Sequence, residues 1–230
     1  GRWEPWVGAR KPSADTLGYG LARADLAGPR EMLVRVGRKM KRKKVFRRHH
    51  PDPYWVAAVD GVETLKSRKR HCEDCCTRQI KVKTHGVEET VTEYYHREVV
   101  LQMVGVVPAL PLDVEPIMKG ETETVAALRL LKRVKAALPR FIDVLTFDAF
   151  YLQAPFVLEV LGMGYGVVIV LKQEERDLYK DAEGLFQVTM PDEQAIQAQG
   201  LDGTVKVWDV DGLSSWSQLG RPARVVRELK

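Results

Sequence analysis

Leu145-Thr146-Phe147-Asp148-Ala149-Phe150-Tyr151-Leu152-Gln153 and, a short interval later, Gly164-Tyr165-Gly166-Val167-Val168-Ile169-Val170-Leu171-Lys172-Gln173 carry the reading of the fold. The first begins in an apolar run of strand length, 141–147, that ends on an acid, Asp148. A helix is expected next, from about Phe150 to Leu161, with Pro155 near its start and Gly162 and Gly164 ending it. Val167 to Leu171 then reads as another strand. It is wholly apolar and therefore expected to be buried on both faces. Strand, helix and strand in this order make a crossover unit.

Working towards the N-terminus, Gly120-Glu121-Thr122-Glu123 opens a helix. Val125, Leu128, Leu131, Val134 and Leu138 recur along it at helical spacing, and Pro139 stops it. Its acidic start and basic end suit the helix dipole. Pro108, Pro111 and Pro116 read as a rigid connector. Earlier still, the apolar run 54–59 is a strand ending at Asp60-Gly61, Gln79 to Thr84 alternates as a half-buried strand, and the chain is extended again from Glu89 to Val104. Hairpin-linked strands followed by strand–helix alternation imply an α/β fold: a mixed sheet with helices on its faces.

Outside this middle the texture differs. Residues 1–50 are polar and basic, with one short helix expected from about Pro29 to Lys41, its apolar contacts being Met32, Leu33 and Val36. Beyond Lys172 the pattern weakens. Residues 186–188, 205–208 and 224–227 are strand-like pieces between Gly- and Asp-rich turns. Three regions are therefore expected: a basic N-terminal DNA-binding or linker region over 1–50, a core over 51–184, and a β-rich addition over 185–230.

The bulk numbers set outer limits. In 230 residues, 45% are hydrophobic and 29% charged, the balance of an ordinary globular protein. No apolar run approaches the roughly 20 residues that cross a bilayer, and the chain itself shows no basic-then-apolar leader pattern. The chain starts on Gly1 and stops in a segment that has only begun, so both ends read as cut. Net charge is +5. Much of the excess lies between Arg38 and Arg48, in Lys39, Lys41, Arg42, Lys43, Lys44 and Arg47, with His49 and His50 following. An anionic polymer would bind such a run by counterion release; a solvated linker is the plainer alternative.

Asp60 and Asp148 are the candidate chemistry. Each ends a strand and precedes a small residue. If the two strands are parallel neighbours, both carboxylates meet at one end of the sheet. Two aspartates held close repel unless a cation lies between them, and Mg²⁺ favours oxygen ligands. Loop-starting aspartates that merely cap turns or helices fit the same spacing.

Several of these segments resemble DDE transposases of bacterial insertion sequences, the group that includes the H-repeat-associated proteins. Asp60-Gly61-Val62-Glu63 is similar to the first-aspartate motif. Gly120-Glu121-Thr122-Glu123-Thr124 and its Leu-rich helix are similar to the segment that follows in that group. The two stretches quoted at the outset resemble its second-aspartate strand, the helix after it, and its Lys-ended strand. The likeness covers roughly Trp55 to Phe186, and four motifs fall in the right order.

The resemblance implies an RNase H-like mixed sheet flanked by helices, with a β-rich insertion toward the C-terminus. It implies Mg²⁺- or Mn²⁺-dependent DNA cleavage and strand transfer at insertion-sequence ends, with Asp60 and Asp148 as the first two of three metal-binding acids. In members with a β-rich insertion the third acid lies on a helix after it. No such helix precedes Lys230, and Glu228, the last acid, lacks the helical context and is not assigned. An inactive, truncated DNA-binding remnant is therefore the competing expectation. The implied partners are transposon-end and target DNA, with a homodimer as the family's usual working state. The implied setting is the bacterial cytoplasm, at the nucleoid, with no membrane.

Residues expected on the DNA backbone are Lys39, Arg42, Lys43, Lys44, Arg47 and Arg48 of the basic run, Arg70 of the loop Ser67–Cys76, and Lys172 at the end of the last core strand. Arg68, Lys69 and Arg78 surround the same loop. All three cysteines, Cys72, Cys75 and Cys76, fall in it. A Cys-x₂-Cys pair with His71, His85 or His96 could hold zinc, but one pair is a weaker signature than two, and a reduced cysteine loop is the preferred reading. Trp208 and Trp216 are expected in the small core of the β addition rather than stacked on a flipped base. Glu63 is expected at the surface rather than as an accessory ligand.

Overall fold

The computed structural model describes residues 13–48, 54–84, 86–198 and 201–229. His49, His50 and His85 lie outside them. The chain divides into two compact units, 1–45 and 46–230.

The first unit contains helix α1 (Ala14–Ala22), which was not expected, and α2 (Ala27–Arg42). Ser13 Oγ accepts from the Thr16 amide at 3.1 Å and so caps the start of α1. Helix α2 runs through Gly37 and carries Lys39, Lys41 and Arg42 in its last turn, where cations suit the helix dipole. Met32 and Val36, expected as apolar contacts, are exposed instead.

The second unit is mixed α/β, with helices flanking a six-stranded mixed sheet. Its elements are β1 (Arg47–Arg48), β2 (Val56–Ser67), β3 (Cys76–Thr84), β4 (Val87–Val104), β5 (Val106–Val107), β6 (Pro111–Pro116), α3 (Glu123–Ala137), β7 (Val144–Phe147), α4 (Ala154–Gly162), β8 (Gly166–Ile169), α5 (Asp177–Val188), β9 (Asp192–Ala198), β10 (Leu201–Leu213) and β11 (Ala223–Leu229). The main sheet runs β3-β4-β2-β7-β8, with β6 also on β4. Strand β4 is antiparallel to β2, β3 and β6, whereas β2, β7 and β8 are mutually parallel. One alternate set of side chains (Ala57, Val59, Val99, Leu101, Met103, Leu145 and Phe147) is buried.

Strand β6 replaces the expected proline connector. Its prolines stand at its two ends, and it pairs with β4 from Glu98↔Pro116 to Gln102↔Pro111. Proline is tolerated there because an end or outer edge of a strand can do without one ladder N–H. Asp113 and Glu115 of this strand are buried, and arginines of α3 meet both. Arg133 Nε donates to Asp113 at 2.8 Å, and Arg129 Nε donates to Glu115 at 2.5 Å. Burial alone would raise the Glu115 carboxyl, but the hydrogen bonds from Arg129 and Arg133 outweigh it and hold the group below its ordinary value.

The buried stripe of α3 is Glu123, Ala126, Ala127, Leu130, Leu131 and Val134. Val125, expected on that face, is exposed. Small alanines at 126 and 127 let the helix approach its neighbours closely. Strand β8 is also a correction. It is the edge of the sheet, and Val168 and Val170 are exposed, so its apolar sequence does not mean burial on both faces.

The C-terminal part does contain a separate three-stranded antiparallel sheet, β11-β10-β9. It packs on a helix that was not expected, α5, through Leu178, Ala182 and Phe186 against Leu213, with Trp208 and Trp216 partly buried beside them. Residues 186–188, read as strand-like, are the last turn of α5. The boundary expected at 184/185 falls inside that helix. Among the described residues no helix is long and apolar enough to cross a membrane.

Candidate functional site

Parallel pairing brings the two aspartates together. Strand β2 pairs with β7 from Val56↔Val144 to Ala58↔Thr146. Asp60 and Asp148 each lie two residues beyond the last pair, so period-two alternation places both on the face of Ala58 and Thr146. Both are exposed, whereas Val59 and Phe147 beside them are buried. Asp60 does not end its strand, however. β2 continues to Ser67 along β4, with a register shift between Glu63 and Leu65. Asp148 does end β7, and its Oδ1 accepts from the Phe150 amide at 2.9 Å, capping the 3₁₀ turn Ala149–Tyr151. The Oδ1 of Asp60 accepts from the Gly61 amide at 2.9 Å. Asp148 therefore caps this turn at the end of a strand that pairs in parallel with the strand of Asp60. Among the described residues neither aspartate has an ion-pair partner.

A third carboxylate lies beside them that sequence reasoning treated only as part of a helix start. Glu123, in the first turn of α3, is buried, and its head presses on the backbone of Gly61, where a β-carbon would collide with it. Its Oε1 accepts from the Tyr151 hydroxyl at 2.8 Å, and its Oε2 accepts from Arg97 Nη2. Tyr151 is wholly buried, in an aromatic trio with Phe147 and Phe156 whose centroids lie 5.0–5.2 Å apart. Burial, then the hydrogen bond to Glu123, then the charges of Glu123, Asp60 and Asp148 raise the Tyr151 phenol well above its ordinary value. The phenol thus registers all three acids. The sequence signal that could have found Glu123 is an acid at a buried position of α3, next to a tight Asp-Gly pair.

As donors, Asp60 and Asp148 fit a hard divalent cation. Each is solvent-facing, with one oxygen occupied by a backbone N–H. Glu123 is a poorer donor, because both of its oxygens already accept hydrogen bonds. The three carboxylates are not drawn into one tight ligand group. The group of described residues whose donor atoms all lie within 4.8 Å of one another is Cys72, Cys75 and His96. Glu228 lies in β11 opposite Val207, exposed and outside this site.

The expected DNA-backbone residues are all exposed, four in the first unit and four in the second. Lys39 and Arg42 end α2, Lys43 caps it, and Lys44 follows with a left-handed backbone (φ 54°). Arg47 and Arg48 form β1 against Val107 and Val106, and the Arg48 guanidinium lies over the Trp55 ring at 4.1 Å. Arg70 is in the loop after β2. Lys172 does not end a strand: β8 stops at Ile169, and Lys172 lies in the irregular segment beyond it.

Arg78 is committed within the protein, bonded to Glu93 at 2.7 Å and Glu63 at 2.8 Å and lying over the Tyr95 ring. Glu63 also meets Lys66 at 2.9 Å, so Lys66 and Arg78 hold its carboxyl below the ordinary value. It sits in an ion-pair cluster. Trp208 and Trp216 belong to the appendage core, as expected. The Trp208 indole N–H donates to the Thr189 carbonyl at 3.1 Å, and Trp216 borders a cleft of about 240 Å³ with Glu175, Arg176 and Gln218.

No protein-family model, no curated protein and no solved structure matches the chain.

Proposed function

We propose that this chain is the catalytic core of a DNA transposase of the bacterial insertion-sequence type. It would cleave and join DNA ends by phosphoryl transfer at Asp60 and Asp148. The observation that carries this reading is the equivalent placement of the two aspartates beyond the same pair of parallel strands, solvent-facing and with no protein cation paired to them among the described residues. The sheet adds support: antiparallel strands come first and strand–helix–strand crossovers follow, the order expected of an RNase H-like core. Three of the four sequence motifs fall on elements consistent with it, Asp60 within β2, 120–124 at the start of α3 and Asp148 at the end of β7, while 164–173 covers β8 but places Lys172 beyond its end.

Asp60 and Asp148 would hold Mg²⁺ or Mn²⁺. When bound, such ions activate a water or a 3′-hydroxyl and stabilise the leaving oxygen of a phosphodiester. The chain's own contribution is to fix these carboxylates. Gly61 and Phe150 amides orient them, and Glu123, locked by Arg97 and Tyr151, acts as a positioning residue behind Asp60. Exposed cations at Lys39, Arg42, Lys43, Lys44, Arg47, Arg48, Arg70 and Lys172 would meet backbone phosphates, with affinity falling as salt rises.

A second reading, an inactive DNA-binding remnant, is favoured by the lack of a third free carboxylate gathered with the pair among the described residues. One experiment separates the two. Purified chain is incubated with labelled duplexes from the flanking nucleotide sequence, with Mg²⁺ and with EDTA. Metal-dependent nicking that disappears in Asp60→Asn and Asp148→Asn supports the catalytic reading. Salt-sensitive binding without nicking supports the remnant, and neither binding nor nicking refutes both.

A further inference from the structure

We propose that Cys72, Cys75 and His96 form a zinc site that staples the loop after β2 to strand β4, independently of whether the chain cuts DNA. The three donors come from two places in the sequence, a Cys-x₂-Cys turn and a strand residue 21 positions beyond Cys75. Cys72 Sγ lies 3.6 Å from Cys75 Sγ, and His96 Nε2 lies 3.2 Å and 3.3 Å from the two sulfurs. With zinc–sulfur bonds of about 2.3 Å and a zinc–nitrogen bond of about 2.0 Å at tetrahedral angles, the corresponding separations are about 3.8 Å and about 3.5 Å. Each observed distance falls within a few tenths of an ångström of these. A disulfide would need the sulfurs at about 2.05 Å, and the cysteines here are free.

The backbone is arranged as a ligand turn. The Cys75 amide donates to the Cys72 carbonyl at 3.3 Å, closing a tight turn, while the Cys72 amide donates to Cys75 Sγ at 3.2 Å. An N–H directed at sulfur stabilises the thiolate form that zinc requires. Cys75 is buried, whereas Cys72 is exposed, which leaves the metal a path of entry. Two thiolates and one neutral imidazole balance the charge of a divalent ion, so the site adds no net charge beside Arg68, Lys69 and Arg70. Sulfur and imidazole donors select zinc over Mg²⁺, keeping this site chemically apart from the aspartates.

Two other candidate ligands are placed otherwise, and a third, His85, lies outside the described residues. The His71 ring stacks on Tyr94 with centroids 4.4 Å apart, and Cys76 begins β3 opposite Tyr95. Among the described residues no fourth ligand joins the three, and water would take the open position. The site joins the turn of the basic loop to His96, which is paired with Leu65 of β2. Zinc would hold Arg68, Lys69 and Arg70 in a fixed presentation.

The test uses the full chain, reduced, stripped with chelator and reloaded with zinc alone. We expect about one zinc per chain, and on cobalt loading a thiolate-to-metal charge-transfer band. Cys72→Ser, Cys75→Ser and His96→Gln should each weaken zinc by more than about 100-fold, beyond the 10–100-fold that loss of an outer-shell partner costs. Cys76→Ser and His71→Gln should retain it. Zinc should also slow tryptic cleavage at 68–70 in the wild-type chain, a readout that survives if a variant fails to fold. Absence of zinc from a chain with three titratable thiols would overturn the proposal. So would retention of zinc by Cys72→Ser together with its loss in Cys76→Ser.

Discussion

The carboxylate of Glu123 occupies the space that a β-carbon at residue 61 would need, and it is held there by Arg97 and Tyr151. A glutamate head can usually swing aside, but this one has both oxygens engaged. Gly61→Ala therefore has to break one of those bonds or shift β2. We expect a loss of about 1–3 kcal/mol, the range for overpacking a tight site, read as a lowered urea midpoint at unchanged slope. Removing the obstruction as well, in Gly61→Ala with Glu123→Ala, should recover part of the stability lost by the glycine change. Simple additivity of the two losses would argue against the contact.

Tyr151 and Tyr165 make stability depend on alkaline pH. The Tyr151 phenol is raised by burial first, then by the bond to Glu123 and the nearby negative charges; Tyr165 is pushed up to about 12 by burial. A tyrosine in the unfolded chain ionises near 10. The folded state therefore keeps its protons longer. The contribution is complete below pH 10 and declines as pH rises beyond it, through about 12 for Tyr165, at up to about 1.4 kcal/mol per pH unit for each group. Replacing both by Phe should flatten the decline, followed by chemical denaturation between about pH 9 and 12.

At neutral pH the same two changes should differ in sign. Tyr151→Phe removes a hydrogen bond to a buried carboxylate and should cost about 1.5–3 kcal/mol. Among the described residues the buried Tyr165 hydroxyl has no hydrogen-bond partner. Tyr165→Phe leaves the ring under the Lys135 ammonium, 4.4 Å from its centroid, and should be neutral or stabilising by up to about 1 kcal/mol. A large loss for Tyr165→Phe in thermal melts would contradict this.

These contrasts show which parts of the structure were legible in the sequence. The helix around 123–137 and the strand ending at Asp148 were readable because local periodicity and a proline stop mark them. Strand β6 was not: its prolines imitate a connector, and its acids look like surface residues until arginines from α3 are seen to pair with them. Helix α5 was missed because only Leu178, Ala182 and Phe186 face inward, too sparse a stripe among charges. β8 misled in the opposite direction, since apolar composition does not reveal that a strand lies at an edge. At the site, Asp148 was legible from its strand-end setting, whereas Asp60 lies within β2, which runs on to Ser67 along β4. Glu123, Arg97 and Tyr151 were not legible, because their link joins residues 26 and 28 positions apart in the chain. His96 was one of three histidine alternatives, and only the folded chain separates it from His71, by setting its Nε2 against both sulfurs while the His71 ring stacks on Tyr94.

Asp148 has two jobs that substitution can separate. Its side chain caps the turn Ala149–Tyr151, and it is one of the proposed metal ligands. Asparagine keeps a capping oxygen but loses the charge, whereas alanine loses both. Asp148→Ala should therefore be less stable than Asp148→Asn by about 1 kcal/mol, measured by thermal denaturation without metal. Both should lack Mg²⁺-dependent nicking. Equal stability of the pair would show that the cap contributes nothing. Nicking by Asp148→Asn would remove the residue from the proposed chemistry.

Arg133 joins α3 to β6 through two buried acids. Its Nε donates to Asp113 at 2.8 Å and its Nη1 meets Glu115 at 2.6 Å, while Nη2 is buried with no partner among the described residues. Breaking a buried ion pair by removing one member costs about 3–5 kcal/mol. The guanidinium is about one-third exposed, so solvent screening lowers the expectation for Arg133→Met to about 2–3 kcal/mol near neutral pH. The pH dependence follows from Glu115, whose folded carboxyl sits below its unfolded value of 4.5. That difference stabilises the fold above pH 4.5 and is lost as pH falls through the folded value. In Arg133→Met, Arg129 remains beside Glu115, so this contribution shrinks without vanishing. Urea denaturation of wild type and variant should show their widest gap near neutrality, narrowing below about pH 4 as the acids take up protons. A gap that stays constant across that range would mean that Arg133 acts by packing its aliphatic stem rather than by charge.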